Sequence, residues 1–218
     1  MTNPQIKLTI AIPSIPSRNR QFLQPMYAKL MSQIGDINDV EVLSIMDNKT
    51  MSIGRKRSLL FKIAQGKYTC IIDDDDDVSD DFVDTLRSII NDQLDVDVIS
   101  YDQEAVISGK SWLIRSSLKH DCNPPFMQLA TDPNGNPLPC DRPPWHWCAW
   151  RTDFAREFSF GDVNWGEDGV FVAAASKAAF TEYRLEKVMC KYLWSPTVSQ
   201  APQPTNYTGM ENIPLVKV

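Results

Sequence analysis

The chain has 218 residues, 43% of them hydrophobic and 23% charged, with a net charge of −6. That length supports one substantial core, and the composition excludes a disordered or fibrous chain. The acidic balance weighs against a surface built mainly to hold nucleic acid, although Arg18, Arg20, Arg55, Lys56 and Arg57 leave room for a local basic groove.

Residues 7–12 alternate and are β-branched, which predicts a strand ending at Pro13. A turn over 14–17 follows, with Ser17 as a helix cap, and then a helix to about Ile34. Pro25 blurs its start, because proline prefers a first turn. Residues 39–46 read as a second strand and 53–64 as a helix with Ile53, Leu60, Ile63 and Ala64 on one side and Gly66 as its C-cap. Residues 68–72 form a short apolar strand that runs into five aspartates, Asp73 to Asp77. A helix over 79–91 with Phe82, Leu86, Ile89 and Ile90 as its apolar face, and a strand over 96–100, complete the first hundred residues. This β-α-β-α-β-α-β alternation predicts an α/β fold, a mostly parallel sheet with helices on both faces. Beyond it, 101–115 read as short strands, 119–144 as a long loop, 145–151 as a strand, 167–177 as a helix, and 178–194 as two short strands. Residues 195–218 read as an extended tail of a single domain. No apolar stretch reaches the roughly 20 residues of a membrane span, and the opening MTNPQIKLTIAIPS lacks the basic start of a signal peptide. Five widely spaced cysteines contain no CxxC, which indicates neither a disulfide framework nor a zinc cage and makes a reducing cytoplasm the expected compartment.

The aspartate run is the first candidate site. A strand end delivers several carboxylates to one point, which is costly unless a cation or hydrogen-bond donors compensate. Hard oxygen donors suit Mg²⁺, Mn²⁺ or Ca²⁺, and open α/β sheets bind ligands at the carboxyl ends of strands. If the strand continued, Asp73 and Asp75 would share a face with Asp74 opposite. A plainer reading has Asp77, Ser79 and Asp80 capping the next helix. Asp73, Asp75, Asp77, Ser79, Asp81 and Asp84 also fall at the ligand spacings of an EF-hand, but Val78 stands at its turn glycine and a strand precedes it.

Trp165-Gly166-Glu167-Asp168-Gly169 is the second candidate, two acids opening a helix between glycines, against the plain reading of acids complementing a helix dipole. Trp145-His146-Trp147 is the third. If extended, its two indoles share a face and offer a stacking platform; otherwise they close an edge of the core. Gly54-Arg55-Lys56-Arg57 at a helix start suits phosphate, or is a solvated surface turn. His120 carries no usable signal.

Taken in order, these pieces resemble the GT-A glycosyltransferases, most closely the family-two-like group. The resemblance runs from the strand and proline turn IAIPSIPSR, through Asp47 at the end of a second strand, Arg57-Ser58 and Ala64-Gln65-Gly66-Lys67-Tyr68, to a DxD motif at Asp73-Asp74-Asp75 and the pair Glu167-Asp168. It covers residues 6–175, departs from the family at Ser58, where asparagine is usual, and offers no histidine after His146 as a late metal ligand. It implies a GT-A, Rossmann-like sheet with a nucleotide-sugar half (1–100) and a smaller mixed β acceptor half (101–194). It implies inverting transfer of a sugar from a nucleotide sugar, UDP-linked, to a hydroxyl acceptor. In that reading Mn²⁺ or Mg²⁺ sits on Asp75 with Asp73, and Asp168 is the catalytic base. Pro13, Arg18, Asp47, Arg55, Arg57, Asp73, Asp74 and Glu167 would bind the donor, and Trp145, His146 and Trp147 would line the acceptor side. A soluble chain opening IPSIPSR is also similar to phage-encoded GT-A proteins, which carries the expectation of hydroxymethylated pyrimidine in DNA as acceptor and of the host cytoplasm as location. A cell-envelope glycan or small-molecule acceptor stands beside it, and a calcium-dependent carbohydrate-binding module is the non-enzyme alternative.

Overall fold

The computed structural model describes residues 5–90, 94–121 and 129–194. The expected tail over 195–218, Cys122 and Asn91 lie outside them. In chain order the elements are β1 (Leu8–Ser14), a 3-10 turn (Pro16–Arg18), a π-turn (Asn19–Leu23), α1 (Gln24–Ile34), β2 (Val40–Met46), α2 (Ile53–Ile63), β3 (Tyr68–Ile71), β4 (Asp77–Val78), α3 (Phe82–Ile89), β5 (Val98–Ile107), β6 (Lys110–Ser116), β7 (Cys140–Arg142), β8 (Ala149–Arg151), α4 (Thr152–Ala155), α5 (Glu167–Ala178) and β9 (Glu182–Trp194). The described strands form one sheet in the order β2-β1-β3-β8-β5-β6-β7, with β9 paired to β5 and β4 to β9. β2, β1, β3, β5 and β9 share one direction, and β8 runs against β3 and β5 between them.

Successive strand side chains point to opposite faces, so a strand buried on both sides reads as a continuous apolar run. β1 is such a strand, buried at every position. Leu8, Ile10 and Ile12 pack on one face with Met26, Leu30 and Ile34 of α1 and Phe82, Val83 and Leu86 of α3. Ala11 and Ile71 pack on the other with Leu60 and Phe61 of α2 and Phe171, Val172 and Ala175 of α5. The predicted helices on both faces are therefore present. A third, smaller cluster lies under the β5–β6 hairpin, around Ala105, Ile107, Trp112 and Ile114.

Several local expectations are corrected. Pro13 does not end β1, which continues to Ser14 and stays in register with β2 (Pro13 opposite Ile45). Ala11 accepts from the Ile72 N–H on the β3 side, so Pro13, two residues on, faces the same way, past the last β1–β3 pair at Ala11 and Ile71. Its missing N–H removes no ladder bond there. Ser17 caps nothing: it lies within the 3-10 turn, and α1 begins with Pro25 in its first turn. Gly66 is not a left-handed C-cap. Its added Cβ would lie 2.5 Å from the Thr9 nitrogen and 2.7 Å from the Leu8 carbonyl carbon, so it is glycine because β1 passes too close. The short strands over 101–115 are one hairpin, turned by Ser108 and Gly109 with positive φ. The two strands expected over 178–194 are a single strand, β9, with a bulge opposite Asp102. The strand expected over 145–151 begins only at Ala149. Residues 145–148 instead form a turn in which the Cys148 N–H donates to the Trp145 carbonyl (3.0 Å), so the alternation behind a two-indole platform does not exist. Of the described cysteines, Cys70, Cys148 and Cys190 are free thiols, and all three are buried, as is Cys140. No described helix is long and apolar enough to cross a membrane.

Candidate active site

The carboxyl ends of β1, β2 and β3 meet at one edge of the sheet, and the aspartate run turns there. Asp76 donates its N–H to the Asp73 carbonyl (3.2 Å), closing a turn between β3 and β4. This turn breaks the alternation expected of a continuing strand. Asp74 and Asp75 converge on one guanidinium: Arg18 lies 2.8 Å from Asp74 Oδ1 and 2.5 Å from Asp75 Oδ2. The Ser14 hydroxyl, at the end of β1, donates to Asp74 Oδ2 (2.5 Å). Asp77 and Asp80 pair with Lys29, and Asp81 with Lys187. The EF-hand arrangement is therefore absent, and Ser79 and Asp80 do not cap α3, whose first residue follows Asp81.

α2 enters the same edge from the other face of the sheet. Ser52 is its N-cap, accepting from the Arg55 N–H (3.1 Å). Gly54 allows the approach, since a Cβ there would collide with the Gly161 carbonyl oxygen and press on Glu167. Arg57, one turn into the helix and only 3% exposed, then joins the two acidic motifs. Its Nη2 donates to both oxygens of Asp73 (2.7 Å each), and its Nη1 donates to Glu167 Oε1 (2.6 Å) and to Asp168 Oδ1. Glu167 and Asp168 open α5 after Gly166, whose φ of 77° demands glycine. The structure thus brings Asp73 and Arg57 together with Glu167 and Asp168, which lie 110 and 111 residues beyond Arg57 in the chain.

A second cation closes the β1–β2 edge. Lys56, also 3% exposed, pairs with Asp47 and donates to the Ser14 carbonyl (2.8 Å). Asp47 Oδ2 accepts from the N–H groups of Thr50 (2.7 Å) and Met51 (2.8 Å). The Lys56 contact chiefly, then the Met51 N–H and the Thr50 hydroxyl, hold the Asp47 carboxyl down to about 2. Arg18, Lys56 and Arg57 are therefore engaged by carboxylates rather than lining a basic groove, while Arg20 and Arg55 are exposed. Pro13 is buried in β1 beside these groups.

Burial pushes the Asp168 carboxyl up to about 8, with Glu167 and Asp73 adding to the rise and Arg57 opposing it. Burial also raises Glu167, against the pull of Arg57, and raises Asp74 to about 6. Asp75 is raised by burial and then by Asp73, and Asp76, which accepts from the Leu193 N–H (3.0 Å), is raised well above its usual range by burial and then by Asp73 and Asp75. Sequence reasoning did not single out Ser14 or Asp76. The surplus of carboxylate over guanidinium is the condition a hard divalent cation relieves, so the donor set fits Mn²⁺ or Mg²⁺. Among the described residues no three His, Cys, Asp or Glu side chains close into a ready cage, so such an ion would draw on ligand oxygens and water.

On the remaining side stands the turn before β8. His146 and Trp147 are enclosed, 1% and 4% exposed, and Trp145 is partly open beneath the Arg142 guanidinium, 3.2 Å from its ring centroid. His146 Nδ1 lies 3.3 Å from Asp168 Oδ1.

No family model and no curated protein sequence matches the chain. Solved structures do. S. aureus TarS 1-349 superposes with a TM-score of 0.56 at 14% identity, over 86% of this chain and 60% of that one. TarS 1-349 in complex with UDP-GlcNAc gives 0.58 at 13% identity, over 94% and 62%, and its complex with UDP gives 0.56 at 14%, over 88% and 61%. The chain thus spans about three fifths of the length of the TarS 1-349 chains. At this identity the likeness is one of fold: a central, mostly parallel sheet with helices on both faces, the architecture of GT-A-like glycosyltransferases.

Proposed function

We propose that the chain is a nucleotide-sugar glycosyltransferase, moving a sugar from a UDP-linked donor to a hydroxyl acceptor with inversion. One observation carries this reading: Arg57 ties Asp73 at the tip of β3 to Asp168 at the start of α5, so a donor-side and a base-side carboxylate share one site. The TarS structures with UDP-GlcNAc and UDP support the donor class.

In this reading Asp47 and the Pro13–Ser14 strand end hold the base and ribose, with Asp73 near the ribose or the ion. Asp75, with Asp73, would hold Mn²⁺ or Mg²⁺, which when bound offsets charge on the departing diphosphate. Arg18 keeps Asp74 and Asp75 in place, and Arg55, exposed at the first turn of α2, faces the phosphates. Asp168 takes the proton of the acceptor hydroxyl as its oxygen forms the bond to the anomeric carbon and the bond to the diphosphate oxygen breaks. Glu167 stays with Arg57 and steadies that carboxylate. Trp145 borders the acceptor side. With Arg18, Lys56 and Arg57 committed to carboxylates, a glycan or small-molecule hydroxyl suits this face better than a polyanion.

The test is a panel of nucleotide sugars with Mn²⁺, scored for nucleotide release and product mass, against glycan, small-molecule and hydroxymethylated-DNA acceptors. Transfer from a UDP-sugar that disappears in Asp168→Asn is expected. Calcium-dependent sugar binding that ignores UDP would replace the transferase reading with the carbohydrate-binding one.

A further inference from the structure

We propose that His146 is a positioning residue for Asp168: its Nδ1–H donates to Asp168 Oδ1 and fixes which carboxylate oxygen meets the acceptor. This rests on the reading of Asp168 as the base. Three observations carry it. The imidazole is 1% exposed, and neither ring nitrogen has a hydrogen-bond partner as the side chains stand, a state buried polar groups rarely keep. Asp168 Oδ1 lies 3.3 Å from Nδ1. The contact is out of line for a full hydrogen bond, the condition in which catalytic pairs often wait until substrate closes the site.

The backbone holds His146 for this task. Its carbonyl accepts from the Ile71 N–H (2.9 Å), tying it to the last residue of β3, two residues before Asp73. The rings of Trp145, Trp147 and Phe160 surround it at centroid distances of 6.0, 5.4 and 6.2 Å. Burial, and then the charges of Arg57 and Arg142, hold the imidazole neutral well below its usual range. It is therefore a weak base for the acceptor's proton, and with Nδ1 protonated its one N–H can donate to the carboxylate. Around Asp168 stand Arg57 from α2, Asp73 from the β3 tip, Glu167 from its own helix and His146 from the turn before β8. Arg57 and His146 both fall on Oδ1, which assigns receipt of the proton to Oδ2.

The first test needs no turnover. Nitrogen-15 NMR of the full chain, with His120 as the internal comparison, should show His146 uncharged from about pH 5 to about pH 9 with its proton on Nδ1. Asp168→Ala should release that preference. A proton on Nε2, or titration near the usual histidine range, overturns the proposal. The second test uses the best donor and acceptor. His146→Phe should lower kcat about five- to tenfold, the worth of one hydrogen bond, with donor KM unchanged and the acid limb of the pH–rate profile moved upward. His146→Asn, whose amide nitrogen sits near Nδ1, should recover most of the rate. Equal loss in both variants, or loss in neither while Asp168→Asn is inactive, overturns it. Full rate in Asp168→Asn instead overturns the base reading, and the NMR result then stands on its own.

Discussion

Removing a guanidinium that touches Asp73, Glu167 and Asp168 leaves three carboxylates facing one another in a largely enclosed site. Breaking a buried ion pair from one side costs roughly 3–5 kcal/mol, so Arg57→Met should lose about that much in urea unfolding. Arg57→Lys keeps the charge but not the fork that spans two motifs, and should still lose most transfer activity. The pH behaviour has two signs. The Asp168 carboxyl is raised to about 8, so the folded protein holds that proton to higher pH than the unfolded chain. Its contribution to stability therefore falls as pH rises from about 4 towards 8, while the proton-accepting form, and with it the rate, grows. Asp47 runs the other way: lowered to about 2, it stabilises fully above about pH 4, and that contribution is lost as pH falls through 2. Melting curves from pH 2 to 9 (about that span suffices) on the parent, Asp47→Asn and Asp168→Asn check both signs.

At the scale of elements, glycines and caps decide whether the two acidic motifs meet. Gly66→Ala would drive a methyl into the β1 backbone, and Gly54→Ala would push α2 off the 160–167 segment. Each should cost about 1–3 kcal/mol by overpacking, and Gly54→Ala should cost activity as well, because it moves Arg57. Ser52→Ala removes the α2 cap and should cost about 1 kcal/mol, seen as a lower Tm. Much of this level was legible. Strands β1, β2 and β3 and helix α2 follow from apolar runs and hydrophobic period, and the ordered motifs brought Asp73, Arg57 and Asp168 into one reading. What was not legible depended on the partner. Gly66 looks like a cap until β1 is seen passing it. The aspartate run looks like a strand until Arg18 draws neighbouring carboxylates to one point. The residues 145–148 alternate on paper yet turn in space, and only that turn sets His146 against a carboxylate 22 residues away.

For the molecule as a whole, the acidic edge predicts a coupled response. Carboxylates that repel one another at Asp73, Asp75 and Asp76 should admit a diphosphate only with a cation. UDP with Mn²⁺ should therefore raise Tm by more than either alone; saturation at about 100 times Kd corresponds to about 2.7 kcal/mol. Asp75→Ala should abolish that synergy, which differential scanning calorimetry reads directly.

The placement of β8 has one more consequence. Residues 149–151 are hydrogen-bonded between β3 and β5, so the interior of the sheet stays unfilled until they have left the ribosome. The nascent first hundred residues would present the bare side of β3 to the cell, an open template for stray strand pairing. A fragment cut at residue 100 should aggregate, and one ending after β9, which covers the other side of β5 and pairs with β4, should be the first to stay soluble.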